Sequence, residues 1–199
     1  MYSQNDEERW IVNHFQNINP AQSRFLDIGA YDGKTFSNTL RLAELGWNGL
    51  CIEPAPSCFL GLMGVHKDNP RVELLNAAVI PGNAAKILPF HDSNGDAVST
   101  LVDAHVVKWQ ASAKFRKFYI PALPIGAVFA QFGTGFEFLN LDVESLNIEL
   151  FRELPLAQMP SLRLICVEHD GHYGEMMAIT APLGFQMLTR NPENIIFGR

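Results

Sequence analysis

The sequence predicts an α/β fold: an open sheet of seven strands, mostly parallel, with helices on both faces and an antiparallel hairpin at its C-terminal end. Three observations predict it. Apolar strand-like runs alternate with amphipathic helical stretches, the pattern left by a parallel sheet and its crossover helices. One such run breaks, at Arg24-Phe-Leu-Asp-Ile-Gly-Ala-Tyr-Asp-Gly33, into a glycine turn that leads to a helix. The last two runs are separated only by Asn191-Pro-Glu-Asn194, a gap too short for a crossover helix.

Taken in order, residues 1–22 read as an N-terminal helical segment. Strands are expected at Phe25–Ile28, Gly49–Glu53, Val72–Val79, Phe136–Val143, Leu162–Glu168, Phe185–Arg190 and Ile195–Gly198. The first, second, fourth and fifth are short apolar runs, as strands buried on both faces require. Between the first two, Thr35 to Leu45 reads as an amphipathic helix with Phe36, Leu40 and Ala43 on one stripe, ended by Gly46. Five strands joined by crossovers plus the closing hairpin make the count of seven. Residues 91–135 read as a substrate-side insertion, since so long an excursion between two strands is usually functional. It places Lys108, Lys114, Arg116 and Lys117 among Trp109, Phe115, Phe118 and Tyr119, a combination suited to stacking on sugar rings and meeting anionic groups. A solvated amphipathic helix is the other reading of the same stretch.

Composition narrows the function classes. At 199 residues, 47% hydrophobic and 18% charged, the chain is long and apolar enough for one globular domain with a full core. Its net charge of −6 argues against nucleic-acid binding, which wants a basic face. No apolar run approaches the roughly 20 residues of a membrane span, and the polar N-terminus does not resemble a signal peptide. The expected location is therefore cytoplasmic. Cys51, Cys58 and Cys166 form no CxxC pair and read as free thiols, Cys51 and Cys166 within apolar strands. No metal site is assigned, and the oligomeric state is left open.

The glycine turn identifies a nucleotide-type cofactor and its charge. The spacing Asp27-x-Gly29-x-x-x-Gly33 differs from the G-x-G-x-x-G of dinucleotide binders. Carboxylates at Asp27 and Asp32 would repel a pyrophosphate, whereas S-adenosylmethionine has no phosphate and carries a sulfonium and an ammonium. Glu53 ends the second strand, where an acid can accept hydrogen bonds from both ribose hydroxyls. Asn76, late in the third strand, is within reach of an adenine edge or of local backbone. The more ordinary readings are an Asx turn for Asp27 and a solvated strand-end acid for Glu53.

Phe25-Leu-Asp-Ile-Gly-Ala-Tyr-Asp-Gly33, Cys51-Ile-Glu-Pro54 and Phe138-Leu-Asn-Leu-Asp-Val-Glu-Ser145 together resemble the FkbM-type S-adenosylmethionine-dependent methyltransferases, with Ser99-Thr-Leu101 similar to a short motif of that family. The resemblance runs from about Phe25 to Phe197. It implies a Rossmann-like fold, S-adenosylmethionine held by Asp27, Gly29, Tyr31, Gly33, Glu53 and Asn76, and O-methylation of a small-molecule or glycan acceptor. The family pattern after the fourth strand is Asp-Val-Glu-Gly; here Ser145 replaces the glycine.

Methyl transfer to an alcohol calls for a base, because the hydroxyl is a poor nucleophile. His169, in Glu168-His-Asp-Gly-His172 after the fifth strand, is one candidate, its alternative being a loop histidine with no chemical role. Asp142 and Glu144 are the others. They equally suit a helix N-terminus, where Ser145 would be an N-cap. Two rival functions use the same residues: a non-catalytic cofactor-binding or regulatory domain, and an NAD-dependent oxidoreductase, which the acidic loop and the terminal hairpin oppose.

Overall fold

Seven strands form the main sheet: β1 (Arg24–Ile28), β2 (Asn48–Ile52), β3 (Val72–Leu75), β7 (Phe138–Leu141), β8 (Leu164–Glu168), β9 (Gln186–Arg190) and β10 (Asn194–Gly198). The structure, a computed structural model, describes residues 1–95, 99–109 and 111–199. The sheet order is β3-β2-β1-β7-β8-β10-β9. The first five of these strands pair in parallel, and β10 runs antiparallel to both β8 and β9. The expected α/β architecture and closing hairpin are both present.

Alternation along the strands builds a core on each face. Leu26, Ile28, Leu50, Ile52, Leu139 and Leu141 point one way, onto α5 (Ile125–Phe132), α6 (Asn147–Glu153) and α7 (Tyr173–Thr180). Phe25, Cys51, Phe138, Leu164 and Cys166 point the other way, onto α1 (Glu7–His14), α2 (Leu40–Glu44) and α3 (Pro56–His66). Nearly every residue of β1, β2, β7 and β8 is buried, which is why these strands read as continuous apolar runs. All three cysteines are free and buried. No helix among the described residues is long and apolar enough to cross a membrane.

Two expected elements differ. The run Val72–Val79 is two strands: β3 ends at Leu75, and β4 (Ala78–Ile80) belongs to a separate three-stranded sheet. Asn76 makes the break, donating from Nδ2 to the carbonyls of Glu53 at 2.7 Å and Pro54 at 3.3 Å. The small sheet has the order β4-β6-β5, with β5 (Lys86–Asp92) and β6 (Arg116–Pro124). Its inner residues Ile80, Phe90, Ile120 and Ala122 pack on Ala55 and Cys58 at the start of α3. Prolines at 89, 121 and 124 disguise these strands in the sequence. Residues 91–135 thus contain the end of β5, α4 (Asp103–Trp109), β6 and α5, and of this insertion 96–98 and 110 lie outside the described residues.

The helix expected from Thr35 to Leu45 is confined to Leu40–Glu44. Ser37 is responsible: its Oγ accepts from the backbone N–H of Leu40 at 3.0 Å and of Thr39 at 3.3 Å, a local turn that competes with helix. Phe36 takes a φ of +59° and is 50% exposed, so only Leu40 and Ala43 of the expected stripe reach the core.

Candidate active site

The order of strands reverses between β1 and β7, and a cavity of about 400 Å³ opens at the carboxyl ends there, where open α/β sheets bind ligands. Its walls come from the turns after β1, β2, β7 and β8, from Ala77–Val79, from Ser99–Leu101, and from Lys108 and Trp109 of α4.

The turn after β1 is shaped by its neighbours. Gly29 has a φ of +90°, and a Cβ there would lie 1.6 Å from the Asp142 carbonyl oxygen, so two loops touch at a point only glycine permits. Gly29 and Ala30 both donate their N–H to the carbonyl of Ile52, at 2.9 and 3.0 Å. Asp27 is buried beneath them. Its carboxylate accepts from Thr39 Oγ1 at 2.5 Å and from Asn140 Nδ2 at 2.9 Å, while burial raises its proton affinity.

Glu53 closes β2 in a comparable cage. One carboxylate oxygen accepts from the N–H of Ala55 at 2.7 Å and the other from the N–H of Tyr31 at 2.9 Å. Burial outweighs these donors and pushes its pKa up to about 8. Tyr31, with a φ of +53°, also donates its hydroxyl to the carbonyl of Gly95 at 2.6 Å, joining this turn to the insertion.

The opposite wall is a cluster of acids. Asp142 donates to Glu168, and burial, the Glu168 charge and the Glu144 charge all hold its proton on. Glu144 is pushed up to about 8, by burial first and then by Glu168 and Asp170, with Lys108 opposing. Asn147 ties the group together. Its Nδ2 donates to Glu168 at 2.6 Å and to Asp170 at 3.0 Å, and its Oδ1 accepts from the N–H of Val143 at 2.9 Å. Glu144 and Ser145 take φ values of +47° and +77°. The helix that follows begins at Asn147 with no side-chain cap, so Ser145 is a turn residue and not the expected N-cap.

Of the residues singled out in the sequence, Asp27, Gly29, Tyr31, Glu53, Asp142 and Glu144 converge on the cavity. Gly33, Asn76 and His169 lie outside its lining. Gly33 (φ +77°) packs against Leu62 of α3, and Asp32 spends its carboxylate on the turn, accepting from the N–H of Lys34 and Thr35. Asn76 holds the Glu53–Pro54 backbone instead of facing the cavity. His169 turns toward the hairpin: Nδ1 accepts from the N–H of Gly171 at 3.0 Å, which leaves the proton on Nε2 to donate to the carbonyl of Asn191 at 3.2 Å. Of the expected basic segment, Lys108 and Trp109 line the cavity; Lys114, Arg116 and Lys117 do not. Asn38, Asn140 and Asp170 join the lining without having been singled out. The signal that points to Asn140 is its position as the lone polar residue inside the apolar strand Phe138–Leu141.

Charge is the cavity's clearest chemical feature. Asp27, Glu53, Asp142, Glu144, Glu168, Asp170 and Glu193 contribute seven acids to the described lining, against the single cation Lys108. Burial and their neighbours hold protons on several of these acids. A phosphate would hold those protons on more firmly and a cation draws them off, so the surface disfavours the first ligand and favours the second. No group of three or more His, Cys, Asp or Glu among the described residues is placed to hold a metal ion.

The chain matches no protein-family model and no curated protein. Solved structures do match its fold. A methyltransferase FkbM from Methylobacillus flagellatus aligns over 90% of this chain and 44% of its own, at 13% identity and a TM-score of 0.53. Monomeric WbdD aligns over 98% of this chain and 41% of its own, at 12% identity and a TM-score of 0.53. The candidate methyltransferase yhhF from Escherichia coli aligns over 99% and 88%, at 14% identity and a TM-score of 0.53. The chain thus spans less than half the length of the first two. These likenesses show the fold: a seven-stranded sheet, mostly parallel with a terminal antiparallel hairpin, which is the Rossmann-like fold seen in methyltransferases.

Proposed function

We propose that this chain is an S-adenosylmethionine-dependent methyltransferase that transfers a methyl group in line to a hydroxyl oxygen of a small-molecule or glycan acceptor. The observation that carries this reading is the cavity's acidic lining, seven acids and one lysine among its described residues, at the switch point of a methyltransferase fold. It suits a sulfonium nucleoside and opposes a pyrophosphate-bearing dinucleotide.

The residues present fit the cofactor. The turn at Gly29 lets the backbone come close, and a side chain there would collide with Asp142. A carboxylate oxygen accepts two hydrogen bonds, so each oxygen of Glu53 keeps capacity for one ribose hydroxyl after its backbone donor is counted. When bound, the cofactor supplies the reactive methyl–sulfonium bond. The protein's own task is to align the acceptor oxygen and take its proton. Glu144 is suited to the second role, because its pKa of about 8 makes it a stronger base than an ordinary carboxylate. Lys108 and Trp109 also line the cavity, and an aromatic face beside a cation is suited to orienting a polyol acceptor.

The test is ligand-induced stabilisation. S-adenosylhomocysteine is expected to raise the melting temperature and NADH to leave it unchanged. Glu53→Ala, which removes two hydrogen bonds to a charged acceptor, is expected to weaken S-adenosylhomocysteine roughly 100-fold by calorimetry. Stabilisation by NADH alone, or undiminished affinity in the variant, defeats the assignment.

A further inference from the structure

Beneath the cavity lies a chain of three polar side chains whose direction can be read without ambiguity. Asp27 accepts from Thr39 and from Asn140, as a carboxylate must. Asn140 therefore turns its Nδ2 to Asp27 and its Oδ1 away. That oxygen accepts from Asn38 Nδ2 at 3.0 Å. The amide of Asn38 is oriented in turn: its nitrogen faces Asn140 and, at 3.6 Å, Cys166 Sγ, and its oxygen faces away from both. Asn38 is 6% exposed, lines the cavity, and its Oδ1 is a buried acceptor with no hydrogen-bond partner. Leaving such an atom unsatisfied costs about 1–3 kcal/mol, so the site is built for a donor that the protein does not supply.

Resting on the cofactor reading above, we infer that Asn38 Oδ1 receives the α-ammonium of the cofactor's amino-acid tail. An ammonium meets both demands of the site, since it brings N–H donors and a positive charge. The charge acts on Asp27 through the relay. Burial raises the proton affinity of Asp27, and a cation two links away favours its ionised form, which in turn keeps Asn140 and Asn38 in the orientation that presents the acceptor.

The experiment is a binding cycle by calorimetry on the full chain: wild type and Asn38→Ala against S-adenosylhomocysteine, its deaminated analogue, and 5′-methylthioadenosine, which lacks the whole tail. Wild type is expected to prefer S-adenosylhomocysteine over the deaminated analogue by roughly tenfold or more, the range of a hydrogen bond to a charged group. Asn38→Ala is expected to lose that preference and still bind 5′-methylthioadenosine as wild type does, which shows that its nucleoside site is intact. A variant that keeps the full preference overturns the assignment, as does a wild type that shows none. If Asn38→Ala does not fold, Asn38→Val, which fills more of the space and likewise has no acceptor, carries the same comparison. A wild-type chain that binds none of the three ligands overturns the cofactor reading itself.

Discussion

The turns after β1 and after β7 lie against each other at Gly29 and Asp142, yet they store their energy differently. After β1, left-handed backbone falls on Gly29 and Gly33 as well as Tyr31, and each acid is engaged by hydrogen-bond donors: Asp27 by Thr39 and Asn140, Asp32 by Lys34 and Thr35, and Glu53 across the way by Tyr31 and Ala55. After β7, the left-handed positions are Glu144 and Ser145. Beyond what burial does, the charges of Glu168 and Asp170 raise the proton affinity of Glu144, and those of Glu168 and Glu144 raise that of Asp142. The first turn is a mould in which each acid, Glu53 with its raised pKa included, is caged by donors. The second is kept poised by unbalanced charge. A mould suits binding, and raised carboxylate pKa values suit proton transfer.

The strongest way to break this division is Glu144→Gln. If the β7 side performs the chemistry, kcat falls by about 10²–10³-fold while S-adenosylhomocysteine affinity stays within about twofold. Cofactor and acceptor are held saturating, so that titration of Glu53 in the free enzyme does not enter. The wild-type kcat should then climb about tenfold per pH unit and level off near pH 8, where Glu144 loses its proton, and the variant should lose that climb. The same shift bears on stability. Glu144 in the folded chain keeps its proton above the pH at which the unfolded chain releases it, so the folded state binds more protons between about 4.5 and 8, and stability falls as pH rises through that window. A rate loss confined to KM would instead make Glu144 a binding residue.

His169 gives a smaller and opposite signature. Its two ring nitrogens are committed to Gly171 and Asn191, so His169→Ala removes two hydrogen bonds of about 0.5–1.5 kcal/mol each, and a loss of about 1–3 kcal/mol in urea unfolding is expected. Turnover per folded molecule should change less than about threefold. A collapse of turnover comparable to that of Glu144→Gln would return the base to His169.

The contrast also explains what could be read in the sequence. The mould was legible, because close backbone approach and buried parallel strands demand glycine and apolar runs at fixed spacing, and Asp27, Gly29 and Glu53 follow from that. Side-chain direction was not. Glu168 and Asp170 enter the cavity while His169, between them, turns toward the hairpin, a choice made by the N–H of Gly171 and the carbonyl of Asn191. The small sheet escaped notice because prolines interrupt both β5 and β6. The helix after Gly33 starts later than periodicity predicts because the Ser37 hydroxyl outcompetes the first helical turn, and no periodicity records that contest.

The smallest effect expected is at Ser145, and it probes the strain on the β7 side directly. At a φ of +77° this residue sits where a Cβ is unfavourable by about 1–2 kcal/mol, and glycine relieves the clash. Glycine also gives the unfolded chain more freedom to lose, roughly 0.5–1 kcal/mol, so the two terms partly cancel. Ser145→Gly should therefore stabilise the chain by at most about 1 kcal/mol, a rise in melting temperature of about 2–4 °C for a chain of this size. If the strain serves to hold Glu144 among the other acids, the pH at which the rate levels off should drop in this variant, since a relaxed turn lets the carboxylates separate. A more stable variant with an unmoved pH profile would show that crowding alone, through burial and the charges of Glu168 and Asp170, raises Glu144.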